Sequence, residues 1–575
     1  MKTRADRQVE KMSKEIKIPY GMSNFERMRT KNYVYVDKTK WITHLEKLDT
    51  VVHLRPRRFG KSLFVSMLAN YYDVNATDQF DRLFKGLYIH KNPTPNKNSY
   101  YILRFNFSGI ATKDADTVLE GFQVKVKQGL EKFISDYKLN IQVDDSRSPA
   151  IMLGNMLSAF EKLELKDKVY ILIDEYDHFT NAVLTHVGLQ GLMDLVHRGG
   201  MVRSFYEVIK EKTETGVIER FFATGVMSVS LDSMTSGFNI AKNITTRDDF
   251  TDMMGFTVDE VKQLLKDVGL TAVEQNEVYE ILKLNYNGYL FSKERQVKMF
   301  NSTLIMYYLE YYLPRRAHPG SLVDPNLNQK GVTIRNLVNL KNSEANYEVV
   351  EEIVKNGTTT GMLSDFIDID ERYDKNDFMT LMFNIGLLTI KETKMNTVFE
   401  IPNKIIEFVF LDYLRGMLEK KQGYMIDVRD QEKALFELGE DGKIDEITRQ
   451  VSDFLQHLSV RDHIDFDEKY IKVIYKTMLS MNEQYFIYDE FPAKQGFTDL
   501  ILLKTPMSYA QYEYAIELKH LKKSETTAAR IEKELNDGIH QINAYMTDKR
   551  LQARPDLKRF IVIFSGFEVV QLKAV

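Results

Sequence analysis

The stretch Val51-Val52-His53-Leu54-Arg55-Pro56-Arg57-Arg58-Phe59-Gly60-Lys61-Ser62 constrains this chain more than any other. An apolar run leads into a basic turn. Beyond the turn, Phe64, Met67, Leu68 and Tyr71 recur at helical spacing. Strand, tight turn and helix is the order a phosphate-binding loop needs. In the pattern G-x-x-x-x-G-K-[ST], backbone N–H groups and the helix N-terminus cradle the phosphates, the lysine reaches the β/γ oxygens, and the hydroxyl holds Mg²⁺. Lys61 and Ser62 take those roles here, with Arg58, Phe59 and Gly60 completing the turn. Arg55 stands where the first glycine of the pattern belongs. The expected cofactors are ATP and Mg²⁺.

A phosphate loop needs an acidic partner on a neighbouring strand. Lys168-Val169-Tyr170-Ile171-Leu172-Ile173 reads as a strand buried on both faces and runs into Asp174-Glu175-Tyr176-Asp177. Asp174 is expected to hold Mg²⁺ and Glu175 to orient or deprotonate the attacking water, with Asp177 a supplementary acid. Further strands are predicted at 100–107 and 220–228, and helices near 114–138 and 149–165. Thr224 and Ser228 are the candidates for sensing a γ-phosphate. Strands alternating with helices imply a parallel α/β sheet. Upstream, Tyr33-Val34-Tyr35-Val36-Asp37-Lys38-Thr39 is a short β-like run expected to cover the nucleotide base.

At 575 residues the chain exceeds what one hydrophobic core supports, and roughly 100–200 residues per domain predicts three or four domains. We place them at 1–254 (nucleotide-binding domain), 255–345 (helical lid), 346–423 (helical connector) and 424–575. Within the connector, 376–415 reads as helix, strand, turn, strand, helix, which is compatible with a winged-helix variant. The absence of cysteine excludes disulfides and thiolate zinc sites. There is no apolar run long enough to span a membrane and no apolar core behind the N-terminal charges, so a cytoplasmic protein is expected. A net charge of −4 argues against a globally basic nucleic-acid coat while leaving room for a local groove.

The last 150 or so residues carry a second chemistry. Segments 496–503 and 512–519 read as neighbouring strands. Along the second, Glu517 and Lys519 share a face. With Asp499 on the adjacent strand, two carboxylates and a main-chain carbonyl make a hard oxygen site for Mg²⁺ or Mn²⁺, and Lys519 positions a water or stabilises developing negative charge. E-x-K alone is common, recurring at Glu15, Glu164 and Glu392. The copy at Glu517 is set apart by its company: Asp499, Glu490 before it, and Gln541 and Tyr545 four apart on a following helix. Glu468 is a further candidate acid. Lys522, Lys523 and Arg530 add positive charge where a phosphate backbone would pass.

Taken together, Val36-Asp37-Lys38-Thr39, the Arg55–Ser62 turn, Asp174-Glu175-Tyr176-Asp177, Gly255-Phe256-Thr257, Asn287-Gly288-Tyr289 and Ile401-Pro402-Asn403 resemble the bacterial AAA-ATPase-like family with a C-terminal PD-(D/E)XK superfamily nuclease domain. Asp499, Glu517-Leu518-Lys519 and Gln541-x-x-x-Tyr545 are similar to that nuclease domain, except that Phe497 replaces an arginine usual in the family. The resemblance implies an N-terminal P-loop NTPase fold, a helical lid and a restriction-endonuclease-like α/β domain. It also implies that an Arg-Pro-Arg-Arg-Phe loop is compatible with ATP hydrolysis. The expected function is an ATP-driven switch coupled to a metal-dependent nuclease, in defence or mobile-element biology. Its substrate is nucleic acid, DNA ahead of RNA, and a homo-oligomer is compatible with it. The alternative is a regulatory or scaffold ATPase whose nuclease-like domain only binds nucleic acid or protein.

Overall fold

In the computed structural model, which describes residues 16–111, 113–178, 200–227, 240–324, 329–340, 342–364, 373–422, 427–462, 467–480, 484–493 and 496–575, strand β1 (Thr50–Leu54) is buried along its whole length. A central strand of a parallel sheet has its edges paired by neighbouring strands and its faces covered by helices, so it has no side to give to water. Its companions are β2 (Tyr100–Asn106), β3 (Lys168–Asp174), β4 (Ile218–Gly225) and the two-residue edge strand β5 (Lys242–Asn243). The order is β2-β3-β4-β1-β5, and every pairing is parallel. The register aligns Asn106, Asp174, Thr224 and His53 in one row at the carboxyl edge. That edge is where an open parallel sheet binds ligands.

Helix α1 (Lys61–Tyr72) follows β1 through Gly60, whose φ of 86° lets the chain turn sharply. It sets Phe64 on Phe222 and Tyr72 on Tyr170, with ring centroids 5.9 and 5.2 Å apart. Helices α2 (Ala115–Asp136), α3 (Pro149–Glu161) and α4 (Gly200–Glu214) complete the alternation. The lid region supplies α5 (Val258–Asp267), α6 (Ala272–Tyr286) and α7 (Ser302–Arg315). Capping boxes at Thr257/Glu260 and Thr271/Glu274 start the first two. Glu260 also receives Lys38 at 2.7 Å, and Lys38 donates to the Asp252 carbonyl. Asp37 accepts from the Tyr88 and Thr39 amides. The Asp37-Lys38-Thr39 stretch, expected over a nucleotide base, is thus engaged in tying segments together.

Downstream, β6 (Thr358–Gly361), α8 (Lys375–Asn384), β7 (Thr389–Thr393) and β8 (Thr397–Glu400) give a helix followed by a hairpin, with the strands ordered β6-β8-β7. The helix, strand, turn, strand order read over 376–415 is present, its first strand starting two residues later than the apolar pattern suggested. Further elements include α9 (Lys404–Gln422), α10 (Asp445–Asp462), α11 (Glu468–Leu479), β9 (Tyr485–Ala493), β10 (Gly496–Lys504), β11 (Glu513–Leu521), α12 (Ala528–Tyr545), β12 (Leu557–Ser565) and β13 (Glu568–Ala574). They build a mixed sheet ordered β13-β12-β11-β10-β9, in which β11 and β12 are parallel. Ile542 and Tyr545 of α12 pack on Ile501, Leu503 and Ala515. Buried Lys476 of α11 bridges Glu407 of α9 at 2.5 Å and Asp489 of β9 at 2.7 Å, so each charge has a partner.

The chain divides into two compact units. One holds Met1–Ala317, Arg335–Val349 and Thr359–Asn403; the other holds His318–Ile334, Val350–Thr358 and Lys404–Val575. The lid helices belong to the unit of the parallel sheet, and α9 is joined to the C-terminal sheet by the Glu407–Lys476 pair. Among the described residues no helix is long and apolar enough to cross a membrane.

Gly288 shows how tightly the motif segments meet. At φ 102°, a Cβ there would lie 1.8 Å from the Pro402 carbonyl oxygen. Gly21 has φ 69° and nothing within 4 Å. Thermal unfolding should therefore show Gly288→Ala costing on the order of 3 kcal/mol or more, against about 1 kcal/mol for Gly21→Ala, which carries only the left-handed backbone penalty. Equal losses would contradict this packing.

Candidate functional site

The first centre is the turn between β1 and α1. Its carbonyls are accounted for one by one. Arg57 O accepts from Asn301 Nδ2 (3.4 Å), Arg58 O from Thr303 N (3.1 Å) and Ser302 Oγ (3.2 Å), and Phe59 O from Gly255 N (3.0 Å). Across a trans peptide the next N–H points the opposite way, so these anchors aim the amides of residues 58–60 toward the side where a phosphate would lie. Lys61 Nζ donates to the carbonyls of Arg55 (2.9 Å) and Pro56 (3.1 Å). Burial pulls its pKa down, while Glu175, Asp177 and Asp174 pull it back up.

Asp174 ends β3 fully buried, and neither carboxylate oxygen has a hydrogen-bond partner among the described residues. Burial raises its pKa, and the nearby Ser62 hydroxyl lowers it. A buried, unsatisfied carboxylate beside a serine fits the hydrated Mg²⁺ of a nucleotide site. Glu175 sits at φ 52°, a left-handed conformation uncommon outside glycine. Its Oε2 lies 3.0 Å from His178 Nδ1, and that contact, ahead of Lys61 and Arg57, holds its carboxyl below the usual range.

Three assignments change. The Thr224 hydroxyl is fully buried and donates to His53 O at 2.8 Å. Its one proton is thereby committed, and a phosphate oxygen, which only accepts, gains nothing from it. Phe59 is buried edge-on against Tyr289 and Phe291, at 5.1 and 5.4 Å, so only its backbone belongs to the loop. Asp177 accepts from Val226 N and Met227 N and so fixes the turn after β4. A Cβ on Gly225 would lie 2.1 Å from it. Ser228 lies outside the described residues.

Arg55 is the residue local pattern reading did not place. It is 1% exposed, donates to the carbonyls of Leu54, Thr245 and Thr251, and lies 4.1 Å over the Phe291 ring. A guanidinium held through both terminal nitrogens by carbonyls and laid on an aromatic face, its Nε buried without a partner among the described residues, stands in place of the missing glycine. Arg57 is exposed and contributes to the electrostatics of both Lys61 and Glu175.

The second centre lies on the mixed sheet. Pairing of Leu500 with Ile516 sets Asp499 across from Glu517, so the two carboxylates share a face. Asp499 Oδ2 accepts from Leu518 N (3.0 Å), and Oδ1 pairs with Lys472 Nζ (3.1 Å). Glu517 Oε1 receives Lys519 Nζ at 2.9 Å, while Oε2 is buried without a partner among the described residues. Burial first, then Asp499, pushes Glu517 up to about 7. Burial and Asp499 also raise Glu468. Tyr545 is pushed up to about 12 by burial and by the charges of Glu517, Asp499 and Glu468. By contrast, the Glu392–Lys394 copy of E-x-K is an exposed pair, with side chains 48% and 76% accessible against 3% and 13% here.

Gln541 is exposed one turn before Tyr545, and the Glu490 side chain lies outside the described residues. Lys472 escaped the reading of the sequence, although it stands four residues after Glu468 on α11 and so shares its face. Among the described residues no three acidic or imidazole groups form a ready-made metal cluster. The oxygens present, two facing carboxylates of which one is unsatisfied, fit a divalent ion completed by main chain and water.

Residues 19–235 match the family model described as Predicted AAA-ATPase, and residues 466–573 match that of the PD-(D/E)XK nuclease superfamily. The chain thus carries an N-terminal segment similar to the AAA-ATPase-like family and a C-terminal segment similar to the PD-(D/E)XK nuclease superfamily. A protein of Azotobacter chroococcum mcd 1, described as "Uncharacterized protein in vnfD 5'region", is 28% identical over 312 residues, covering 54% of this chain. The match spans 55% of that relative, so the chain covers about half of its length.

The Glu517 shift has a measurable sign. Its folded pKa near 7 exceeds the unfolded value near 4.5, so folding is favoured at acidic pH and that advantage is lost as pH rises through this window. In chelator, Glu517→Gln should stabilise the C-terminal unit on the order of 2–3 kcal/mol at pH 8 and much less at pH 5. A pH-independent difference in melting temperature would refute the assignment.

Proposed function

We propose that the protein binds and hydrolyses ATP at the first centre and cleaves phosphodiester bonds at the second. The observation that carries the nuclease reading is the Asp499–Glu517 pair with Lys519 on its acidic face. Ser62 and Asp174 would hold Mg²⁺ at the nucleotide; Asp499 and Glu517 would hold Mg²⁺ or Mn²⁺. When bound, such an ion stabilises the extra negative charge of the phosphoryl transition state.

At the nucleotide, the amides of residues 58–60 receive phosphate oxygens, and Lys61 must exchange the Arg55 and Pro56 carbonyls for the β/γ oxygens. Glu175 orients the attacking water, and His178 holds its carboxylate. The lid residues Gly255, Asn301, Ser302 and Thr303 touch the loop carbonyls directly, so they are the elements on which nucleotide state would act first. At the second centre, Lys519 carries charge to the scissile phosphate or its water, and Tyr545 has a hydroxyl to donate at any ordinary pH. Defence or mobile-element biology suits this pairing of chemistries. The alternative, a regulatory or scaffold ATPase whose nuclease-like domain only binds nucleic acid or protein, draws on the lysine pairing of both carboxylates and on the lack of a three-acid cluster among the described residues.

Lys61→Ala should weaken ATP binding at least about tenfold, a loss of roughly 1.4 kcal/mol, read by calorimetry. Glu175→Gln should retain binding and slow hydrolysis about 10²- to 10⁴-fold. With Mg²⁺ or Mn²⁺ and ATP, single- and double-stranded DNA and RNA should report cleavage that Asp499→Asn and Glu517→Gln abolish. Binding with no cleavage of any of these substrates would favour the alternative.

A further inference from the structure

We propose that Lys472 is a resident cation of the nuclease-like centre, holding one oxygen of Asp499 so that the site takes one divalent ion and not two. The inference rests on the nuclease reading above. Lys472 lies on α11, its Nζ is 3.1 Å from Asp499 Oδ1, and the two side chains are only 12% and 13% exposed. Asp499 Oδ2 is oriented by the Leu518 amide. A two-ion site needs a carboxylate that gives an oxygen to each metal, with the ions about 3.5–4 Å apart. A second ion on Oδ1 would lie against the Lys472 ammonium, 3.1 Å from that oxygen, and the repulsion of like charges opposes the bridge.

Glu517 points the same way. Lys519 takes Oε1, and Oε2 is the buried oxygen left without a partner on a residue 2% exposed. One free oxygen from Glu517 and the remaining lone pair of Asp499 Oδ2 make a single seat. The described ionisable side chains agree: three carboxylates (Glu468, Asp499, Glu517) face two ammonium groups (Lys472, Lys519), and Glu534, which also acts on Glu468, is neutralised by Arg530 at 2.9 Å. Their sum when ionised is −1, and one divalent ion reverses it to +1, the complement of a phosphodiester. Lys472 then supplies as a fixed point charge what a second metal supplies elsewhere.

The test counts Mn²⁺ bound to the full chain without nucleotide, by electron paramagnetic resonance of the free ion. Wild type should bind one Mn²⁺ that Asp499→Asn removes. Lys472→Met, which keeps the length and removes the charge, should bind at least about tenfold more tightly and admit a second ion. Lys472→Arg, which keeps the charge, should still bind one, and this guards against a misfolded methionine variant. Two Asp499-dependent ions in wild type, or Lys472→Met with unchanged stoichiometry and affinity, would overturn the proposal. No Asp499-dependent ion at all would remove the nuclease reading and the proposal with it.

Discussion

A loop that offers its amides to an anion must first find partners for its carbonyls, and this requirement organises the N-terminal unit. From Arg55 to Gly60 each carbonyl oxygen accepts a hydrogen bond: two from Lys61, one from Asn301, two on Arg58 from Ser302 and Thr303, one from Gly255, and one from Phe64 within the helix. Most of these donors stand some 200 or more residues away, on the lid. Phe59 is wedged between Tyr289 and Phe291, and a Cβ on Gly386 would lie 2.8 Å from Pro56. The segments Gly255-Phe256-Thr257, Asn287-Gly288-Tyr289 and Ile401-Pro402-Asn403 are thus parts of one support, linked by the Asn403 side chain on Asn287 O and by close approach at Gly288.

The second centre is governed by charge. Acids buried on a sheet repel one another and lose solvation, and both effects appear in the raised pKa values of Glu517 and Glu468. Two lysines offset that cost without removing it. The remaining instability is of the kind a site retains when a cation or an anionic substrate is to be its natural partner. Structural charge in the same unit is handled differently: Lys476, Glu407, Asp489 and Lys404 are mutually paired, and Asp489 is held down to about 2, with Lys476 and Lys404 outweighing the effect of burial. In this unit the paired acids Glu407 and Asp489 are lowered, whereas Glu517 and Glu468 at the second centre are raised.

Much of this was legible in the sequence because it is local. Gly60-Lys61-Ser62 after an apolar run, Asp174-Glu175 at a strand end, and Asp499 with Glu517 and Lys519 on adjacent strands all follow from periodicity and residue chemistry. What was misread depends on contacts between residues far apart in the chain. Thr224 looked like a sensor because it ends a strand, but its hydroxyl faces β1. Phe59 looked like part of the nucleotide site, but lid aromatics claim its ring. Arg55 looked like a lapse from the glycine pattern, and no local rule announces the Thr245 and Thr251 carbonyls that hold it. Lys472 was within reach, since helical spacing from Glu468 places it on the same face.

The account stands on the loop keeping its lid anchors while its lysine changes partners. A crystal structure of the full chain with a slowly hydrolysed ATP analogue and Mg²⁺ measures this directly. We expect Lys61 Nζ within about 3 Å of β- or γ-phosphate oxygens and released from the Arg55 and Pro56 carbonyls, with the contacts of Asn301, Ser302, Thr303 and Gly255 to the loop preserved. Nucleotide bound with Lys61 still on those two carbonyls, or with the lid anchors broken, would contradict it.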